Sequence, residues 1–138
     1  FGNRLFVFGG FSAEGPSKMS MVYDPMWNSW TRIRDMPGAC GPGHAIALND
    51  RIYIIGDWHW ACFSYDPATD HWHILQPPMN GYNFDLSSAI VWEGKIVLLA
   101  RGLAETYIPE ENRWSVTATP DDPVSFCRVY TYFGAVKD

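Results

Sequence analysis

The stretch FSYDPATDHW, residues 63–72, has two counterparts in the same chain: MVYDPMWNSW (21–30) and ETYIPEENRW (105–114). Tyrosine recurs at 23, 65 and 107, a step of 42 each time, and tryptophan at 30, 72 and 114 with the same step. Two aromatic positions holding one interval over three copies define a repeat, and a period of this length belongs to solenoids, propellers or arrays.

Working outward, a second series precedes each copy. NRLFVFGG (3–10), DRIYIIGD (50–57) and GKIVLLAR (94–101) each pass from a polar turn through a basic residue into a short apolar run. Runs rich in β-branched and aromatic residues, bounded by Gly, Asn and Asp and without helical periodicity, predict buried strands. The basic residues Arg4, Arg51 and Lys95 are 47 and 44 apart rather than 42, because loops vary in length while strands do not.

The middle unit can be laid out in full. Strand a covers 44–49, a tight Asn49-Asp50 turn leads to strand b at 51–56, strand c lies at about 60–65 and strand d at about 71–75. Asp66-Pro67 opens the c–d turn: Pro fixes φ, and Asp can accept from the backbone two residues on. Four short antiparallel strands per unit of this length predict a propeller blade. The expected fold is all-β, a β-propeller fragment of about three four-stranded antiparallel blades. Strands b–d of the first blade fall at about 1–37, the second blade at about 38–80, the third at about 81–122, and strand a of a further blade, around CRVYTYF (127–133), at about 123–134. Closed propellers have about four to eight blades. The chain, which starts at Phe1 inside a repeat, is therefore expected to be a piece of a longer protein.

Composition narrows the function. Against 15 acidic residues stand only 10 basic ones, scattered along the chain, for a net charge of −5. That argues against a nucleic-acid surface, whose affinity comes from clustered Lys and Arg. The longest apolar runs are too short to cross a bilayer as a helix, so no membrane role is expected. Cys40, Cys62 and Cys127 form neither close pairs nor a zinc-like spacing and suit a reducing compartment. His71 and His73, alternate on one strand, share a face, but two ligands do not make a metal site.

Gly9-Gly10, then Tyr23-Asp24-Pro25, then Trp30 and Met36-Pro37, resemble the Kelch repeat, and the resemblance runs over nearly the whole chain. The later copies drift: the second keeps Gly56 but has Asp57 for the second glycine, and the third has Ala100-Arg101, with Ile108 in place of Asp. The resemblance implies a non-catalytic protein-binding propeller without a cofactor. Within that family, such propellers often form the substrate-recognition part of ubiquitin-ligase adaptors, joined to an F-box or a BTB domain. The degenerate glycines and few charges look more like the F-box type. The implied partners are a protein or peptide ligand and, through a domain outside this sequence, cullin-type ligase subunits; the implied location is the cytoplasm or nucleus. Two alternatives stay open. One is a cytoskeletal or scaffolding interaction protein. The other resembles the galactose-oxidase-like copper enzymes, which use Tyr, His and a thioether-linked Cys, here drawn from Cys62, His59 and the tyrosines.

Repetition separates structural residues from candidate binding residues, since a binding site is rarely copied into every blade. Gly9, Gly10, Tyr23, Trp30, Gly56, Tyr65, Trp72, Tyr107 and Trp114 are assigned to the scaffold, the rings filling wedges between blades and the glycines letting a neighbour's aromatic ring approach. Because successive strands reverse, the b–c and d–a loops share one face, and these are the segments that vary: FSAEGPSK (11–18), RDMPGACGPG (34–43), DWHW (57–60), QPPMNGYNFD (76–85) and RGLAE (101–105). On that face Trp58 and His59 are candidate partner contacts, as are Tyr82 and Asn83. Arg101 stands at a glycine position where a bulky charge has no packing role. With Arg128 it could hold an acidic peptide through bidentate carboxylate contacts. Asp57, the other glycine replacement, belongs to the same pocket, and a salt bridge from Arg101 to Asp57 or Glu105 is the competing reading.

Overall fold

A computed structural model describes residues 1–56 and 60–119. The chain forms two compact units, Phe1–Pro77 and the part that starts at Pro78. In the first unit, β1 (Leu5–Phe8), β4 (Ser20–Asp24) and β5 (Ser29–Ile33) make a three-stranded antiparallel sheet in the order β1-β4-β5, with a small hairpin, β2 (Phe11–Ser12) and β3 (Gly15–Pro16), inserted between β1 and β4. The second sheet of this unit, β6 (Gly43–Leu48), β7 (Arg51–Gly56), β8 (Cys62–Asp66) and β9 (His71–Ile74), pairs in chain order. So does the sheet of the second unit, β10 (Ser88–Trp92), β11 (Lys95–Ala100), β12 (Leu103–Ile108) and β13 (Arg113–Val116). These are strands b–d of one blade followed by two four-stranded blades, the all-β propeller fragment the repeat predicts. The run 127–133, expected as a further strand a, lies outside the described residues.

Two loops differ from expectation. Residues 11–18 hold the β2–β3 hairpin rather than a plain loop, because Gly15 takes φ 110° and the Ser12 hydroxyl accepts from the Glu14 N–H at 3.2 Å, closing a tight turn. RGLAE is mostly strand: Ala100 pairs with Leu103, leaving only Arg101 and Gly102 as the turn, with Gly102 at φ 66°.

The a–b turns are two-residue hairpins with both residues left-handed: Asn49 and Asp50 at φ 52° and 59°, Glu93 and Gly94 at φ 48° and 73°. Such turns match the twist of the paired strands. At the c–d turns, Asp24 accepts from Met26 N–H at 2.9 Å and Asp66 from Ala68 N–H at 3.0 Å, the bond two residues on that the Asp-Pro pair predicts. The Ala68 bond is the chief cause holding the Asp66 carboxyl below its ordinary range. Ile108 cannot do this, and the third blade makes the turn with a 3-10 segment at Pro109–Glu111 instead.

Each c–d hairpin carries the same clasp. Tyr23, Tyr65 and Tyr107 lie directly across from Trp30, Trp72 and Trp114, with ring centroids 5.1, 4.7 and 5.2 Å apart. Each tyrosine hydroxyl donates at 2.8 Å to the residue five positions on, Asn28, Asp70 or Asn112. Those three acceptors sit at φ 47°, 55° and 46°, the left-handed conformation that Asn and Asp tolerate best among residues with a side chain. Tyrosine, Asx and tryptophan thus close one turn together.

In the first unit the rings also join blade to blade. Tyr65 and Trp72 pack on Phe8 with centroids 6.1 and 5.5 Å away, over a buried cluster of Met36, Cys40, Ile52, Ile54, Ala61 and Phe63. The Trp72 indole N–H donates to the Arg34 carbonyl at 2.9 Å, and Asp70 accepts from the Arg34 N–H at 3.1 Å. Burial first, and then the bond to Asp70, raise the Tyr65 phenol far above its usual range, so it stays a donor. Trp30 is 51% exposed, since no earlier blade within these residues covers its face.

The glycine expectation needs correcting: what approaches Gly9 and Gly56 is Cys40, not an aromatic ring. A Cβ on Gly9 would collide with the Cys40 carbonyl, and one on Gly56 with the Cys40 thiol. Gly9 also takes φ 62°, and Gly10 N–H donates to the same carbonyl at 2.9 Å, so Cys40 cannot back away without breaking that bond. Gly9→Ala is therefore expected to destabilise the first unit by about 2 kcal/mol or more, read as a lower denaturant midpoint; an unchanged midpoint would show that the segment carrying Cys40 yields freely.

Candidate functional site: a pocket in the third blade

The pairing of Ala100 with Leu103 brings Arg101 to the tip of a two-residue turn, exposed. Beside it runs the segment entering β10, and what fixes that segment is Glu105 on β12. Its side chain is fully buried, and its carboxylate accepts from Met79 N–H at 2.8 Å, Asn80 N–H at 3.2 Å, Asn80 Nδ2 at 3.1 Å and the Tyr82 hydroxyl at 2.9 Å. Four donors to two oxygens satisfy a charge that would otherwise be costly to bury. Burial and the Glu105 bond push the Tyr82 phenol well above its ordinary range, so it remains a neutral donor. Asn83 then caps a 3-10 turn at Phe84–Leu86, its side-chain oxygen accepting from Asp85 N–H at 3.0 Å.

Between this anchored segment and the β11–β12 turn lies a pocket of about 370 Å3, lined by Gly81, Tyr82, Asn83, Leu86, Ala100, Arg101 and Leu103. Its walls are mostly apolar, and Arg101 supplies the cation. Arg101 forms no ion pair among the described residues, and Glu105 is bound by the 79–82 segment instead of by Arg101.

Of the residues singled out from sequence, the structure brings Arg101, Tyr82 and Asn83 together in this pocket. Asp57, Trp58, His59 and Arg128 lie outside the described residues. Trp60, which closes the Trp-His-Trp run, is 56% exposed and left-handed at φ 59°, while Gly56 N–H and the Ala61 carbonyl, 2.9 Å apart, draw the loop ends together. Tyr82 is buried with its hydroxyl committed, so it forms a wall of the pocket rather than a contact displayed to solvent. In the first unit the d–a and b–c segments also meet, through a bridge between Ser17 and Cys40, which places the variable loops of that blade on one face. His71 and His73 are both exposed on β9, and the His71 Nδ1 lies 2.9 Å from the Thr69 carbonyl oxygen. Among the described residues no group of three or more His, Cys, Asp or Glu is placed to hold a metal ion, and no helix is long and apolar enough to cross a membrane.

Two roles were missed: that of the Asx residues in the clasps, and that of Glu105, named above only as a partner for Arg101, in anchoring the 79–82 segment. Asn28, Asp70 and Asn112 share the 42-residue step of the rings and could have been found from it. Glu105 stands two residues before Tyr107, where the other copies have Met21 and Phe63; an acid in a buried strand was its signal.

Residues 1–37 match the model of the Kelch motif. The mouse "Kelch-like protein 23" is 27% identical over 128 residues, a match that covers 85% of this chain and 22% of that protein. "Kelch-like protein 25" of Xenopus tropicalis is 28% identical over 148 residues, covering 88% and 24%. "Kelch repeat and BTB domain-containing protein 8" of the same frog is 33% identical over 121 residues, covering 81% and 20%. The chain spans about a fifth to a quarter of the length of these relatives.

Proposed function

Since the chain belongs to the Kelch-repeat family and carries part of its propeller domain, we propose that it is a non-catalytic protein-binding module and that the whole protein is a substrate receptor of a ubiquitin ligase. The observation that carries the binding role is a division of labour. The residues that repeat are consumed in clasps and packing, while the residues that do not repeat meet at a pocket on the loop face of the third blade. Variable loops on a rigid scaffold are where recognition is usually found. The ligase role is supported only by family resemblance; one relative bears a BTB domain in its name, which favours a BTB partner domain over the F-box that the degenerate glycines suggested. On this reading the protein works in the cytoplasm or nucleus and engages cullin-type subunits through its other domain.

Affinity capture with the full-length protein tests the assignment. Recovery of cullin subunits is the expected result; recovery of actin without them would make the protein a cytoskeletal scaffold, and copper at one equivalent per chain would make it an oxidase.

A further inference from the structure

We infer that the third-blade pocket binds a peptide segment in which an acidic side chain neighbours an aliphatic one, the carboxylate on Arg101 and the aliphatic group against Leu86, Ala100 and Leu103. The inference deepens the protein-binding reading and rests on it. Charge is the first support. The chain carries a net charge of −5, yet among the described residues the one charged group lining this pocket is an arginine, and it has no ion-pair partner among them. The nearest candidate to neutralise it in sequence, Glu105, is sealed away and fully occupied by donors from the 79–82 segment. A guanidinium presents a planar fork that fits a carboxylate with two parallel bonds.

Shape is the second support. A volume of about 370 Å3 with apolar walls is too large for a carboxylate alone and suits one side chain together with a stretch of backbone. Leu86 is 67% exposed, an apolar group left at the rim of the pocket. The Asn83 side-chain oxygen is taken by Asp85 N–H, while its amide nitrogen has no acceptor among the described residues. That nitrogen is available to a peptide carbonyl. Glu105 acts through the loop as a positioning residue: by pinning Met79, Asn80 and Tyr82 it keeps the wall in place before a ligand arrives, which spares the ordering cost at binding.

The test uses the purified full-length protein and fluorescein-labelled, capped peptide pools with Leu-Glu-Leu or Leu-Asp-Leu fixed at the centre, against matched Leu-Gln-Leu and Leu-Asn-Leu pools. The acidic pools are expected to bind at least about tenfold more tightly than the amides, as loss of a charge-assisted bond implies. Arg101→Gln should bring the acidic pools to the amide level, and Leu86→Ser should weaken them several-fold; both residues are exposed, so the fold should survive, which a thermal melt checks. Equal binding of acid and amide pools, or acidic binding untouched by Arg101→Gln, overturns the pocket assignment. If cullin subunits are still captured in that case, the adaptor reading stands without it; if acidic peptides bind as expected but no cullin is captured, the pocket stands and the ligase role fails.

Discussion

Trp72→Ala is expected to lower the stability of the first unit by about 3–5 kcal/mol, the range for deleting a large aromatic from a packed site. Trp72 does three things at once there. Its ring lies 4.7 Å from that of Tyr65 and meets Phe8 edge-on at 5.5 Å, and its indole N–H satisfies the Arg34 carbonyl of the preceding blade. Alanine removes the area, the ring contacts and the bond together, and the Arg34 carbonyl then depends on water that must enter the seam. Tyr65→Phe is the matched control, since it keeps the ring and deletes only the 2.8 Å bond to Asp70, at a cost of about 1 kcal/mol. Urea denaturation of both variants, with m-values checked for constancy, gives the comparison. Equal and small losses in the two would mean that the ring does not join the blades.

The second large effect is expected at Glu105. Replacing it with alanine leaves the Met79 and Asn80 amides, the Asn80 side chain and the Tyr82 hydroxyl without their acceptor. An orphaned buried donor costs about 1–3 kcal/mol, and partial hydration of the loop should limit the total to about 3–5 kcal/mol, the range for breaking a buried charge from its partners. Glu105→Gln should cost less, about 2 kcal/mol, because one oxygen still accepts while the new NH2 faces donors. Hydrogen exchange gives the sharper readout. The Met79 and Asn80 amides should lose protection in both variants, and peptide binding should fall with them even where the protein remains folded. Unchanged protection at those two amides would dismiss Glu105 as the anchor of the pocket wall.

The fold was legible because its signals recur. One tyrosine in front of one tryptophan would be unremarkable; three pairs at a fixed step specify hairpins, and the Asn49-Asp50 pair and Asp66-Pro67 supply the turn chemistry at the expected places. The site was legible only in part, since it lies in the residues that do not recur. Arg101 was visible as a misfit at a glycine position, but its freedom from Glu105 was not, because that depends on four donors from a segment 23 to 26 residues earlier in the chain. Local pattern cannot supply such pairings. Gly9 and Gly56 are points of close approach, but the approaching group was mistaken, and nothing lies within 4 Å of where a Cβ on Gly10 would stand. Cys40 is a small residue between glycines, and nothing in its spacing shows that its carbonyl would press on Gly9 and its thiol on Gly56.

The clasp of tyrosine, left-handed Asx and tryptophan fits within eight consecutive residues, as from Tyr65 to Trp72. A stretch of gene copied in tandem would carry its own fastener and need nothing from the neighbouring copy to shape that hairpin. Lineages can therefore lengthen or shorten such a ring by whole units, and can rewrite the intervening loops for new ligands, without having to reinvent the corner that makes each unit fold.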